Sequence, residues 1–389
     1  MRTIDADERR ARLGVRHRLA RPVPGVDEAV EALVGSHSSD PASVFLSAWA
    51  RVEGFEPTLL EDALYERRSL VRMLGMRRTL FVVPVDLAGV MNEACTKALV
   101  PGQRKRLIAM LGEQGIAEDP ARWLDRVSSR TMAALESRGE AGARELAADV
   151  PELATKLSFG EGKSWGGTVG VSTRVLFLLA TEGRVVRVRP AGSWMSGQYR
   201  WAPTERWLDG GLPVVPSAEA CAELLRRWLG AFGPATTTDL RWWTGWTAKL
   251  AASTLGAVDA VEVELEGGTG WVLPDDLEPV AAPDPWIALL PSLDATVMGW
   301  KERDWYLGDH AGKLFDRNGN AGPTIWADGR VVGGWAQGAD GEIVTRLLEP
   351  VGADVAAAIG AERERLGRWL GDVGITPRFR TPLDRELSA

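Results

Sequence analysis

Pro57-Thr-Leu-Leu-Glu-Asp-Ala-Leu-Tyr-Glu66, followed by Ser69-Leu-Val-Arg-Met-Leu74, Gly75 and Thr79-Leu-Phe-Val-Val83, runs from a helical pattern into two strand patterns folded about a glycine. Leu59, Leu60, Ala63 and Leu64 recur at helical spacing, and the apolar runs flanking Gly75 favour strands. Two more helical patterns lie upstream. Val26, Val30, Leu33 and Val34 make the first, and Val44, Phe45, Ala48 and Trp49, ending near Arg51, make the second. Three helices and a hairpin form a winged helix, a helix-turn-helix variant whose wing is the hairpin. It spans residues 26–84.

The same order returns twice. Helical patterns over 124–137 and 141–148, then 172–180 after the glycine-rich 160–170, precede strand patterns at 185–188 and 198–201 around a long wing. Helices at 218–232, 237–243 and 247–255, with a hydroxyl-rich cap in 233–239, precede a hairpin over 261–273 with a glycine tip. A repeated order is stronger evidence than any one segment. The remainder reads as strands at 286–290, 324–326, 330–332 and 343–346, a closing helix at 353–370, and an arginine-rich tail expected to be loosely ordered. The expected fold is therefore α+β, three tandem winged-helix units with a β-rich C-terminal part. The boundaries are 1–90, 91–210, 211–282 and 283–389.

Between the first two helices lies Val34-Gly-Ser-His-Ser-Ser-Asp-Pro-Ala-Ser-Val-Phe45. An imidazole, two hydroxyls and a carboxylate within four residues can orient a water or stabilise a developing cation. Asp40-Pro41 is equally the start of a helix, with a side-chain acceptor at the N-cap and proline in the first turn. The two readings are compatible.

Composition narrows the class. The chain has 389 residues, 45% hydrophobic and 25% charged, ordinary for a globular protein of two or three domains. Cys95 and Cys221 lie far apart, and His17, His37 and His310 are scattered, so neither a disulfide framework nor a zinc site is expected. No carboxylate pair at ligand spacing marks the central polar stretch, and Asp275-Asp276 reads as a turn, which disfavours a metal-dependent nuclease. No apolar run spans a bilayer and the N-terminus has no secretory pattern, so the expectation is a cytoplasmic protein. Net charge is −7, yet arginines cluster in three places: residues 9–21, residues 97–106 with Lys97 and Lys105, and residues 184–206. Each cluster is either a solvated face or part of a DNA footprint. The 17 tryptophans are read mainly as core, with base stacking as the alternative.

Four stretches carry a family resemblance: Met76-Arg-Arg-Thr-Leu-Phe81, Leu229-Gly-Ala-Phe-Gly-Pro-Ala-Thr236, Leu290-Pro-Ser-Leu-Asp294, and Gly319 through Gly329-Arg-Val-Val-Gly-Gly-Trp335. Together they resemble the AlkZ/YcaQ-like winged-helix DNA glycosylases of the azinomycin-resistance type. The resemblance implies three tandem winged helices around a DNA-sized concavity. It also implies a catalytic motif of glutamine, any residue, then glutamine or aspartate, which positions the water that attacks the sugar C1′. That motif falls on His37-Ser38-Ser39, so histidine and serine replace its two polar residues, and Phe81 stands where many members carry histidine. The implied function is a monofunctional DNA glycosylase acting on bulky or crosslinking N-alkylated purines. The expected catalytic residues are His37, Ser39 and Asp40. The expected DNA contacts are Arg51, Arg77, Arg78, Thr79, Arg187, Arg189 and Arg200. No cofactor and no metal are expected. The expected partner is double-stranded DNA, alkylated or crosslinked, bound by a monomer. The second reading is a non-catalytic winged-helix DNA-binding protein, a regulator or damage sensor, since fold alone does not assign function.

Overall fold

Asp40 and Pro41 start the helix Pro41–Trp49: the aspartate side chain accepts the Ala42 N–H at 3.2 Å. This helix buries Val44, Phe45, Ala48 and Trp49, the face its spacing predicts. The computed structural model describes residues 1–160, 162 and 166–389. Residues 161 and 163–165 of the glycine-rich link lie outside it.

The polar stretch ahead of the helix is a strand rather than an open turn. β1 (Ser36–His37) lies on one edge of a sheet whose first hairpin is β2 (Leu70–Leu74) and β3 (Leu80–Pro84). Ser36 faces Val82 and His37 faces Phe81 across β3. The glycine-rich link supplies an unanticipated hairpin, β4 (Lys156–Phe159) with β5 (Gly167–Gly170). The second expected hairpin, β6 (Val185–Pro190) and β7 (Tyr199–Pro203), joins the first: the sheet order is β1-β3-β2-β6-β7, with Arg72 opposite Arg187. The first two units therefore share one sheet instead of carrying separate wings. Pairing β2 with β6 satisfies backbone groups that two free hairpin edges would leave open.

Helices Pro120–Arg138, Ala143–Asp149 and Val171–Thr181 fall where the periodicity puts them. Helix Val100–Glu113 was not anticipated, because Leu107 and Leu111 are the only residues it buries and so leave a weak periodic signal. These helices enclose their own core around Leu124, Val127, Leu135 and Leu179, to which β2 contributes Leu74. Further on, helices Ser217–Phe232, Thr237–Thr244 and Ala248–Ala257 precede β8 (Val261–Leu265) and β9 (Gly268–Val272). Thr236 and Asp239 cap the middle helix reciprocally. β10 (Ile287–Leu290), β11 (Thr324–Ala327), β12 (Arg330–Gln337) and β13 (Ile343–Leu347) form an antiparallel sheet, with helix Ala353–Leu370 against it. The tail is ordered, contrary to expectation. Thr381 caps helix Pro382–Leu387, whose Leu383 and Leu387 are buried beside β12.

One hydrophobic core runs through the first unit, the third and the C-terminal sheet, with Trp228, Trp326 and Trp335 fully buried. Those tryptophans are packing residues. The N-terminal arginine cluster is also structural. Arg12, 1% exposed, donates to Glu8, Asp276 and the Glu278 carbonyl, and Arg16 pairs with Asp276. Arg12 and Arg16 are thus committed to carboxylates within the fold, whereas Arg21 is exposed.

Candidate active-site cleft

β1 and the residues after it are wired into the sheet. The Ser38 N–H donates to the Leu80 carbonyl at 2.7 Å, and the Leu80 N–H donates to Ser39 Oγ at 3.2 Å. Arg72 donates to Ser38 Oγ at 2.9 Å and to the Tyr65 hydroxyl at 2.7 Å. His37 is 6% exposed and packs on Phe81, with ring centroids 4.9 Å apart. Burial, reinforced by the nearby Arg77 charge, pushes its pKa down to about 3, so the imidazole is neutral. The Ser39 N–H donates to His37 Nδ1 at 3.4 Å, which leaves the ring proton on Nε2. His37 thus holds Ser39 in place from below.

Ser39, half-buried, lines a cleft of ≈ 760 Å³ between the first hairpin and the second unit. Arg78, Arg187, Arg200, Tyr199 and Arg378 line it too. Arg187 stacks on Trp201 at 4.5 Å, makes no ion pair among the described residues, and has its pKa pushed by burial down to about 10. Arg378 donates to the Ser39 carbonyl at 3.3 Å. No sequence signal pointed to Arg378, because it comes from the tail that folds back over the site.

Several expected site residues do other work. Asp40 is spent as a cap: Oδ1 accepts the Ala42 N–H, and Oδ2 accepts the Arg378 N–H at 2.8 Å. It faces a separate small apolar pocket with Ser43, Ser292 and Pro377, and burial pushes its pKa up. Arg51 is not a DNA contact. It is fully buried and bonds bidentately to Asp294 at 2.8 and 2.9 Å. Arg189 turns away to Glu66 at 2.9 Å and Glu61 at 3.3 Å. Arg200 reaches the cleft but pairs with Glu140 and Glu145. Thr79 donates its hydroxyl to the Met76 carbonyl at 2.7 Å, closing the hairpin turn. Arg77 is absent from the cleft lining; it lies half-buried over Trp242 at 3.9 Å, its pKa lowered to about 10 by burial and by Arg303.

The arrangement therefore brings Ser39, Arg78 and Arg187 together, adds Arg378, and leaves Glu145 as the cleft's carboxylate, tied to the Gly142 N–H and Arg200. Among the described residues, no group of three or more His, Cys, Asp or Glu is placed to hold a metal, and no helix is long and apolar enough to cross a membrane.

No curated protein matches the chain. Among solved structures it is similar to the Streptomyces sahachiroi DNA glycosylase AlkZ, at 21% identity and a TM-score of 0.73, over 95% of this chain and 98% of that one. The family model described as DNA glycosylase AlkZ-like matches residues 30–369. The match runs from the polar stretch of β1 through the helix-and-hairpin units to the C-terminal sheet, and the chain belongs to the AlkZ-like DNA glycosylase family.

Proposed function

We propose that the protein is a monofunctional DNA glycosylase that excises bulky or crosslinking N-alkylated purines from double-stranded DNA in the cytoplasm. The three helix-and-hairpin units, 1–90, 91–210 and 211–282, are read as winged helices that grip the duplex ahead of the β-rich 283–389 region. The observation that carries the reading is that Ser39, two residues after β1 in the stretch where the family's catalytic motif falls, shares one cleft with Arg78, Arg187 and Arg378.

Alkylation at guanine N7 or adenine N3 leaves the base positively charged. When the C1′–N bond breaks, its electron pair neutralises the base, so leaving-group departure needs little help from the protein. The water oxygen then bonds to C1′ and releases a proton to solvent. Ser39 Oγ, which already accepts the Leu80 N–H, has a second lone pair to accept a proton of that water and turn its oxygen toward the sugar. His37 fixes Ser39 and stays neutral, so it adds no charge against the cationic sugar. The cleft arginines answer flanking phosphates.

A second reading, non-catalytic DNA binding, draws on a specific observation: Asp40 is committed as a cap and Glu145 is paired, so the cleft offers no free general base. Protein in excess over a duplex carrying N7-alkylguanine separates the two. Abasic sites in a single turnover support the glycosylase, and salt-sensitive binding without abasic sites supports the second reading.

A further inference from the structure

Several arginines near the cleft answer carboxylates. Arg200 has Glu140 and Glu145, Arg189 has Glu61 and Glu66, and Arg104 has Asp125. Besides Arg144, Arg187 and Arg378 of the cleft lining, three neighbouring arginines have no such partner among the described residues: Arg78 in the turn between β2 and β3, Arg106 on helix Val100–Glu113, and Arg174 in the first turn of helix Val171–Thr181. They come from three elements and meet around Phe177. The Arg78 guanidinium lies 5.4 Å from the Phe177 ring. Arg106 and Arg174 line one small pocket with Phe177 and Gln103. Phe177 and Arg78 also line the Ser39 cleft, so the small pocket of Arg106 and Arg174 adjoins that cleft through Phe177. Arg174 Nε is buried with no hydrogen-bond partner, held against Phe159 at 5.8 Å.

Guanidiniums gathered this way repel one another, and folding gains nothing from holding them together unless an outside anion joins them. Each of Arg78 and Arg174 is depressed by burial first and by Arg106 second, as mutual proximity requires. Planar guanidiniums with parallel N–H donors match phosphate oxygens two at a time. The spread over three elements suits consecutive phosphates on one strand better than a single small anion.

We propose that Arg78, Arg106 and Arg174 form a phosphate clamp that grips consecutive phosphodiesters of a DNA strand as it leaves the Ser39 cleft. The clamp sets where the strand enters the cleft and carries no base specificity. It rests on the reading that DNA is the ligand and is indifferent to whether a base is excised.

The test is duplex binding by the full chain, measured from low to moderate salt, for wild type, Arg106→Gln, Arg174→Gln and the double variant. A phosphate contact contributes about −0.9 to the slope of log K against log salt. Each single variant should lose about that much slope and the double about twice it, equally on unrelated sequences. Arg106→Lys and Arg174→Lys keep the charge and should keep the slope. A steep wild-type slope unchanged in the glutamine variants overturns the clamp while leaving DNA binding in place. Equal losses in glutamine and lysine variants overturn it in favour of packing on Phe177. A wild type that does not bind duplex removes the DNA reading itself, and the clamp with it. Arg106 is exposed, so its variants fold even if those of half-buried Arg174 do not.

Discussion

Replacing Arg51 by methionine removes the cation that joins the first unit to the C-terminal region. Arg51 donates to the His17 carbonyl at 3.0 Å, to the Ser47 carbonyl and hydroxyl, to Thr296 Oγ1 at 2.8 Å, and to both Asp294 oxygens. Both side chains of the pair are 0% exposed. Burial alone raises the Asp294 pKa, but Arg51 and the surrounding donors outweigh it and hold the carboxyl below its usual range. Without Arg51, a buried carboxylate keeps mainly the Thr296 N–H at 2.9 Å. Leaving such a charge unpaired costs about 3–5 kcal/mol. Arg51→Met/Asp294→Leu removes both charges together, and replacing a buried pair by apolar groups is often near neutral. The double variant should therefore be more stable than the sum of the single losses by at least about 2 kcal/mol. Urea unfolding of the four proteins at neutral pH gives this cycle, and duplex binding by Arg51→Met should keep the wild-type salt slope. A loss under about 1 kcal/mol, with a slope reduced by about 0.9, would place Arg51 on phosphate and refute the burial argument.

Asp40→Ala should cost about 1–2 kcal/mol, the usual worth of an N-cap, while the folded variant keeps DNA affinity and any base release; activity lost at unchanged stability would return Asp40 to the chemistry. His17 and His37 are both pushed down to about 3 by burial, so each is neutral in the fold while the unfolded chain binds a proton below about 6.5. Their contribution is present in full above that pH and is lost as pH falls toward 3, at about 1.4 kcal/mol per pH unit for each histidine. His37→Gln should lower the acid slope of urea stability by one such step, and an unchanged slope would mean that His37 titrates as an exposed group. Leu383, 1% exposed, should cost about 2–5 kcal/mol on replacement by alanine, and a silent substitution would detach the tail from β12.

Much of the fold was legible because it is periodic. The strong apolar repeats of 120–138 and 217–232 and the glycine-tipped 261–272 hairpin carry their own structure. Helix Val100–Glu113 was lost because it buries so little, and the pairing of β2 with β6 because two hairpins do not encode in sequence whether they share an edge. The site was less legible. Ser39 and the arginine-rich second hairpin could be singled out as residue types, but which arginines are free depends on carboxylates brought in from far along the chain. Arg189 and Arg200 look like phosphate ligands until Glu66 and Glu140 arrive. Arg106 and Arg174 look ordinary until Arg78 meets them around Phe177. Asp40 shows the same ambiguity at short range, since the residue that starts a helix and the residue that could stabilise a sugar cation are written alike.

The most direct measurement is single-turnover base release from N7-alkylguanine duplex by wild type, Ser39→Ala and His37→Ala, with duplex affinity determined for each. The account predicts abasic sites from wild type and a loss of at least roughly tenfold in either variant, with affinity nearly unchanged, since a positioned polar group is worth about that or more. Release by Ser39→Ala at the wild-type rate would contradict it by moving the chemistry away from this cleft. Absence of release by wild type would make the same cleft a binding site alone.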